Sequence, residues 1–301
     1  MTTRELTRRR RPGEQLLIGV LFGCAAVCVA TTVGIILTLG FETMEFLRRV
    51  PLQEFLFGTR WAPTFADASF GVLPLVSATL LVTGIALVVA VPLGLASAIY
   101  LSEYARPRVR AVIKPALEIV AGVPTVVFGY FALTFLTPEL LQELVPGTRV
   151  FNTLAAGLVI GIMIIPLIAS IAEDAMRAVP NELRQASYGL GAVRRTTALK
   201  VIVPAAFSGI VAAVLLAASR AIGETMVVAV AAGQMAQMTA DPREPSQTMT
   251  AYIVQVSLGD TPSGSTAYLT IFALGALLFT ITFALNIVAV RIVGRVRERY
   301  E

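Results

Sequence analysis

Two oppositely charged residues, Arg220 and Glu224, lie in an otherwise apolar stretch, residues 210–230. A charge at the centre of a bilayer costs about 2.5–3.5 kcal/mol on insertion scales, so charged residues in membrane spans favour a function. Four positions apart on one helix, the two would share a face and could pair. Arginine presents a planar fork of donors that suits phosphate oxygens. We therefore predict that the pair contacts an anion in transit; the alternative is a structural pair that locks helices together.

The predicted anion path also includes the hydroxyls that flank the charged pair, Ser219 and Thr225. Other apolar segments contribute three further candidates: Thr79, Thr83 and Thr125. Hydroxyls in membrane helices usually bond their own backbone, which is the alternative role for these three residues and for Ser219.

The composition indicates an integral membrane protein. The chain is 56% hydrophobic and only 14% charged, against about 25% charged residues in soluble domains. It has no histidine, which excludes histidine metal ligands, Ser-His-Asp triads and imidazole proton shuttles. Cys24 and Cys28 are too few for a metal site, so buried reduced thiols are expected. We predict no bound metal or cofactor and no nucleic-acid partner.

Six apolar segments are long enough to span a bilayer, which takes about 20 residues. They lie near residues 15–39, 72–101, 117–136, 153–172, 207–232 and 267–292. Most of the 24 lysines and arginines fall at the N-terminus (1–14), in the loop after the second segment, in the loop 173–204, and at the C-terminus, including 293–301. Because basic loops stay cytoplasmic, both termini are predicted to be inside.

Two outer segments have features of their own. Residues 15–71 comprise the first span and an outer loop in which Trp61 is expected at the membrane interface. After the fifth span, Met249, Tyr252, Ile253 and Val256 form a helical stripe, which predicts a short amphipathic helix. This helix either rests on lipid or forms a platform for an extracytoplasmic partner.

The loop 173–204 contains residues that typically begin and end helices, which indicates ordered structure. Asn181 can cap a helix and Glu182 favours its positive end. An apolar face is predicted to follow, whose residues are Leu183, Ala186, Ser187 and Leu190. Glycines 189 and 191 end this helix and Pro204 ends a second one. A surface helix of this kind can lodge in the groove of a partner, whereas the alternative is a solvated linker.

The same loop resembles the EAA motif of ABC importer permeases. Gln185-Ala-Ser187, Gly191 and Val201-Ile-Val-Pro204 match its spacing, with Gln185 in place of the usual glutamate. The resemblance implies a coupling helix that docks into an ATPase subunit. Its predicted coupling residues are Asn181, Glu182, Leu183, Gln185, Ala186, Ser187, Leu190 and Gly191.

Further runs narrow the resemblance to phosphate-specific permeases of the PstC type. These runs are Phe70-Gly-Val-Leu-Pro-Leu-Val76, residues 91–104, Ala121-Gly-Val-Pro-Thr-Val-Val-Phe-Gly129 and Arg220-Ala-Ile-Gly-Glu-Thr-Met226. The likeness implies a type I importer fold for the permease core, 72–292, in a bacterial inner membrane. It also implies a PstA-type second permease, two subunits that bind ATP and Mg, and an extracytoplasmic phosphate-binding protein. The chain itself would be no enzyme.

Three alternatives remain open at this stage. A permease for another oxyanion such as sulfate would share the arginine chemistry. A proton-coupled secondary carrier would use Glu224 as its proton site, but it would need no loop that docks an ATPase. A membrane scaffold would relay a signal without transport.

Overall fold

The structure, a computed structural model, describes residues 12–297, so the arginines of the N-terminal run, 4 and 8–11, and residues 298–301 lie outside the described part. Its helices are α1 (Pro12–Arg49), α2 (Leu52–Phe57), α3 (Leu73–Ile99), α4 (Pro107–Ala121), α5 (Thr125–Phe131), α6 (Gln142–Leu144), α7 (Thr153–Arg177), α8 (Asn181–Gly189), α9 (Arg194–Thr197), α10 (Val203–Ala205), α11 (Phe207–Ile222), α12 (Met249–Leu258) and α13 (Thr266–Arg297). Wider π-helical turns extend or join several of them, at Tyr100–Tyr104, Ala132–Leu141, Ala198–Ile202 and Val228–Ala232. A two-residue antiparallel pair, β1 (Trp61–Ala62) and β2 (Ser69–Phe70), completes the described fold.

Four helices are long and apolar enough to cross a membrane, and six spans result if each of two bent helix pairs counts as one. The continuous spans correspond to the first, second, fourth and sixth predicted segments. The third prediction, 117–136, begins inside α4 and crosses an 84° bend before Thr125. This bend is explained by Gly122 and Pro124, because proline restrains the residue before it from helical geometry.

The fifth predicted span, 207–232, was expected as one helix and is in fact broken. It begins after a 71° bend between Arg194–Ala205 and α11. The helix α11 then ends at Ile222, and a second helical piece runs over residues 226–232. Gly223 lies in the break between them, where a residue without a side chain has the least preference for continuing a helix.

The centre of the molecule is the contact between α3 and α7. Their backbones approach closely because glycine replaces larger residues on the facing surfaces. A Cβ atom added to Gly157 would lie 2.7 Å from Ile85 Cβ, and one added to Gly94 would lie 2.8 Å from Ile168 Cβ. Small residues allow this close approach in membrane helices. The two helices are therefore expected to move as one body.

A second apolar cluster covers one end of the bundle, and it corrects two sequence predictions. Trp61 is buried rather than interfacial, and its ring meets that of Tyr252 edge to face at 5.0 Å. The predicted helix is confirmed as α12, but Met249, Tyr252 and Val256 are buried in the protein instead of resting on lipid. Both corrections have one cause: the outer loop folds over α12 and supplies a protein environment.

The first helix touches the rest of the fold mainly through α13. Phe46, near its end, is fully buried in the outer apolar cluster, whereas residues 16–37 are exposed within this single chain. Cys24 and Cys28 are free thiols, as expected, but exposed and not buried. The prediction of burial was wrong because the described residues leave both cysteine positions of α1 uncovered.

Candidate translocation path and coupling segment

The charged residues Arg220 and Glu224 lie on opposite sides of the helix break. Arg220 is in the last turn of α11 and is exposed. Glu224 follows Gly223 and is only 8% exposed. Within the described residues no ion pair joins them, so the pairing expected from a continuous helix is not formed. The break explains this outcome, because four-residue spacing brings side chains together only on an unbroken helix.

Hydrogen bonds of both its backbone and its side chain hold Glu224 in the protein interior. Its carboxylate Oε1 accepts a hydrogen bond of 3.4 Å from the backbone N–H of Val227, at the start of the helical piece 226–232. Its carbonyl oxygen accepts a 2.7 Å hydrogen bond from the Thr250 hydroxyl on α12. The N–H of Met249 in turn donates to Thr79 Oγ1 of α3 at 3.2 Å. The break is thus tied to α12 and, one step further, to α3.

The other predicted path residues surround the break with different exposures. Ser219 Oγ is buried without a hydrogen-bond partner in the described chain, and Thr225 Oγ1 donates to the Gly223 carbonyl at 3.1 Å. Thr79 and Thr83 donate to carbonyls four residues earlier, at 2.7 Å each, which is the alternative considered for them. Arg220 and Thr225 are therefore accessible at the break, whereas the Ser219 hydroxyl and Glu224 are buried.

The arrangement suits the partial charges at helix ends. A cation is favoured in the last turn of a helix and an anion in the first turn, each by about 0.3–1 kcal/mol at exposed sites. Arg220 lies in the last turn of α11, and Glu224 lies just before the start of the helical piece 226–232. Each charge is thus favoured by backbone dipoles, which leaves the guanidinium of Arg220 available for an anion.

The predicted coupling segment forms the helix α8 and a sharp turn. Gly191 adopts φ +80°, a conformation that glycine adopts without strain. Leu190 is 90% exposed, and Leu183, Gln185 and Ala186 are also exposed. An exposed apolar surface of this kind is typical of a protein contact.

Two residues of the coupling segment differ from their sequence assignments. Ser187 does not share the exposed face, because it is buried and its hydroxyl is 2.9 Å from Thr197 Oγ1. Asn181 is the first helical residue rather than the cap, and Pro180 occupies the cap position. Its Oδ1 instead accepts from Arg184 Nη1 at 3.3 Å. Glu182 is exposed in the first turn, as expected.

The structure adds two buried ion-pair clusters beside this segment. Arg184 Nη2 donates to Glu103 Oε1 at 3.0 Å, with the two side chains 16% and 5% exposed. Nearby, the fully buried Glu173 meets Lys114 Nζ at 2.9 Å and Arg110 Nε at 2.7 Å. The Arg110 N–H is not directed at the oxygen, so that contact is electrostatic rather than a hydrogen bond.

Sequence reasoning missed these partners, although it placed most of the basic residues in cytoplasmic clusters. The available signal was the position of Glu103 and Glu173 at the ends of apolar segments. An acidic residue there needs a cation if it is buried. Which cation serves which carboxylate follows only from the fold.

Taken together, a bundle of apolar helices, a charged helix break and an exposed coupling segment define a membrane transport subunit. Residues 90–298 match the family described as "Binding-protein-dependent transport system inner membrane component". The chain belongs to this family: it is the permease subunit of an ABC importer, a multi-pass protein of the inner membrane, and not itself an enzyme.

Two proteins that are similar in sequence to this chain carry different names. The chain is 36% identical to a probable ABC transporter permease protein, YqgH, of Bacillus subtilis, over 88% of this chain and 85% of that protein. It is 32% identical to the phosphate transport system permease protein PstC of Mesorhizobium japonicum, over 82% of this chain and 80% of that protein.

Solved structures share the fold at lower identity. The methionine transporter MetNI matches with a TM-score of 0.56 and 19% identity, over 75% of this chain and 94% of that chain. A bacterial alginate ABC transporter matches with a TM-score of 0.65 and 14% identity, over 92% of this chain and 93% of that chain. These matches establish the type I importer permease fold.

Proposed function

We propose that this chain is a PstC-type permease subunit of an ATP-driven importer of inorganic phosphate. The observation that carries the proposal is the exposed guanidinium of Arg220 at the helix break, which has no ion-pair partner in the described chain. A planar fork of donors matches phosphate oxygens. The likeness to PstC of Mesorhizobium japonicum supports the same substrate.

Ser219 and Thr225 extend this anion path, and Glu224 sets its strength. A lone buried cation would hold a doubly charged anion too firmly, whereas conduction requires binding weak enough to permit exit. The Glu224 carboxylate lies behind the arginine and discourages the anion from lodging at the break. It also fixes the start of the helical piece 226–232 through Val227.

Energy for transport comes from partner subunits in this proposal. Two ATPase subunits bind ATP and Mg, and this chain binds neither. They contact the exposed surface of the coupling segment, including Leu183, Gln185 and Leu190. The likeness to the EAA motif supports this contact. Gln185 replaces the usual glutamate there, so the contact forms without a salt bridge at that position.

The remaining partners are a PstA-type second permease and a soluble phosphate-binding protein. Phe131 and Phe135 are stacked at 5.2 Å and exposed, which suits a contact between permeases. The end of the molecule that contains α12 and Trp61 provides a firm platform for the binding protein because both are anchored in the apolar core.

A permease for sulfate is the second candidate, because its oxygens fit the same guanidinium. A proton-coupled carrier is less well supported, since it gives no role to the exposed apolar residues of the coupling segment. Purification of the tagged chain tests the carrier directly: a copurifying ATPase is expected, and a functional carrier without one would contradict the proposal.

The deciding experiment is uptake of labelled phosphate by a strain that lacks its own phosphate permease and expresses this chain with its partners. Uptake should depend on ATP and on Arg220, and excess sulfate should not compete. Competition by sulfate at equal concentration, or uptake of sulfate alone, would identify the other oxyanion as substrate.

A further inference from the structure

Arg184 is the most heavily bonded side chain at the predicted cytoplasmic end of the bundle. Its Nη2 donates to Glu103 Oε1 at 3.0 Å and to the Met176 carbonyl at 2.8 Å. Its Nη1 donates to the Val179 carbonyl at 2.7 Å and to Asn181 Oδ1 at 3.3 Å. One guanidinium of the coupling helix therefore bonds to several separate points of the fold.

These bonds connect the coupling helix to the central helix pair. Glu103 lies in the π-helical turn Tyr100–Tyr104 that extends α3, whereas Met176 and Val179 lie at the end of α7. The close glycine contacts described above already join α3 to α7. The cluster around Glu173 adds α4 to the same body.

The connection on the other side of the coupling helix is of a different kind, because α8 packs against the helix that follows. The chain turns at Gly191 with φ +80° before Arg194–Ala205 begins. Beyond the backbone contacts of this turn, one side-chain hydrogen bond crosses it, between the hydroxyls of Ser187 and Thr197. A displacement of α8 is consequently transmitted to α3 and α7 through the bonds of Arg184, and to the helix that follows through direct packing.

We propose that Arg184 and Glu103 are positioning residues that convert movement of the coupling helix into movement of the α3–α7 pair. The inference rests on the proposed function, since it assumes an ATPase that moves α8. Removing one partner of a buried ion pair leaves an uncompensated charge. The pair therefore stays closed throughout the transport cycle and acts as a link rather than as a switch.

The test measures phosphate transported per ATP hydrolysed by the complete complex in proteoliposomes. Glu103→Gln and Arg184→Lys should each lower this ratio by about fivefold, in keeping with the size of coupling effects from single residues. ATP hydrolysis and the yield of assembled complex should change less than the ratio. Arg184→Lys keeps the charge but loses the fork, so it cannot hold Glu103 and the α7 carbonyls together.

The matched control is Asp67→Asn, which removes the carboxylate from an exposed ion pair with Arg60 at 3.1 Å. It should leave the ratio unchanged, because exposed pairs contribute little. An unchanged ratio in Glu103→Gln and Arg184→Lys would overturn the inference. A parallel fall of hydrolysis, uptake and assembly would also overturn it, since that pattern indicates a merely structural role.

A covalent replacement of the ion pair provides a second test. In a background with Cys24→Ser and Cys28→Ser, the double variant Glu103→Cys with Arg184→Cys should be uncoupled. A short bis-maleimide cross-linker, which alkylates both thiols, should then raise the ratio again, because it restores the link between α8 and α3. A cross-linked complex that stays as uncoupled as the open one would contradict a permanently closed link.

The unaltered complex separates this inference from the proposed substrate. If it hydrolyses ATP but takes up sulfate instead of phosphate, the substrate proposal fails, and the same ratio measured with sulfate still decides the role of Arg184.

Discussion

Arg220 lies in the last turn of one helix and Glu224 comes just before the next, with no ion pair between them in the described part of the chain. The two charges therefore do not lock helices as a pair in this conformation. Each is favoured instead by the dipole of a helix end. Substitutions at the two positions should accordingly have separable effects.

Arg220→Gln should reduce phosphate uptake by more than about tenfold while the complex still assembles, because no carboxylate loses a buried partner. Arg220→Lys should recover only part of the uptake, since a point charge lacks the bidentate fork. The measurements are uptake and the yield of purified complex. Arg60→Gln, which removes an exposed arginine from the loop before α3, is the control. Normal uptake in Arg220→Gln would exclude an anion contact there.

Glu224→Gln should slow turnover without reducing assembly, because the amide oxygen can still accept from Val227 N–H. Glu224→Ala removes this acceptor, and loss of a capping acceptor costs about 1 kcal/mol. Thermal denaturation of the purified complex should therefore separate the alanine variant from the glutamine variant. Equal melting temperatures for both would show that the carboxylate does not stabilise the helical piece 226–232.

The double variant Arg220→Gln with Glu224→Gln distinguishes a path from a lock. A path predicts that uptake stays as low as in Arg220→Gln. A structural lock predicts a low yield of complex in each single variant and recovery in the double variant. Transport at the level of the parent protein by the double variant would end the anion-path proposal.

Gly191→Asp should leave the protein in the membrane but abolish transport. Nothing lies within 4 Å of an added Cβ, so the defect would come from φ +80° and from the charge at the docking surface. Left-handed geometry costs a residue with a side chain about 1–2 kcal/mol. Gly189→Ala is the matched control, because it adds a methyl to open space at a glycine without positive φ. Coupled transport by Gly191→Asp would refute the assignment of this turn.

The outer turn at Asp241 should resist acid. Hydrogen bonds from Arg243 lower the pKa of Asp241 from 3.8 to about 2. Because the pKa is lowered, the pair stabilises the folded turn at any pH above the ordinary pKa of 3.8, and this stabilisation is lost as the pH falls through about 2. Carbon-13 NMR of labelled aspartate carboxyls in nanodiscs should follow this titration. Arg243→Gln should return the pKa toward 3.8, and an unchanged titration would rule out the pair.

The predicted orientation can be checked with single cysteines in a background without Cys24 and Cys28. Leu190 is 90% exposed and the side chain of Asp67 is 88% exposed, so both positions accept a label. In intact cells an impermeant maleimide should react with Asp67→Cys but not with Leu190→Cys. Disrupted cells that express the chain without its ATPase subunits should label both. The opposite pattern would reverse the topology.

The sequence located the spans well because a run of apolar residues identifies a membrane helix without knowledge of its neighbours. The breaks within two spans were harder to predict. Gly223 is one of many glycines in apolar helices, and its effect depends on the partners of the freed backbone groups. Here the Glu224 carboxylate accepts from Val227 N–H, and the Thr250 hydroxyl donates to the Glu224 carbonyl.

Long-range pairs account for the rest of what sequence reasoning missed. Glu103 and Arg184 are 81 positions apart, so no local pattern connects them. Trp61 has the properties of an interfacial residue, and only the fold of the outer loop reveals that Tyr252 covers it. The prediction of an exposed apolar face on α8 was partly correct. Ser187 does not lie on that face, because its hydroxyl shares a hydrogen bond with Thr197 on the inner side.

The contact between α1 and α13 has a consequence for how the protein is made. Phe46 packs in the same apolar cluster as Leu269 and Leu274, although residues 50–265 separate the two helices. During synthesis, α1 therefore enters the membrane long before its partner exists, and residues 16–37 remain exposed in the described fold. The outer cluster can close only after α13 has been translated and inserted. A ribosome that stalls before residue 266 would leave Phe46 without Leu269 and Leu274 in its cluster, which gives quality-control proteases a way to recognise an unfinished chain.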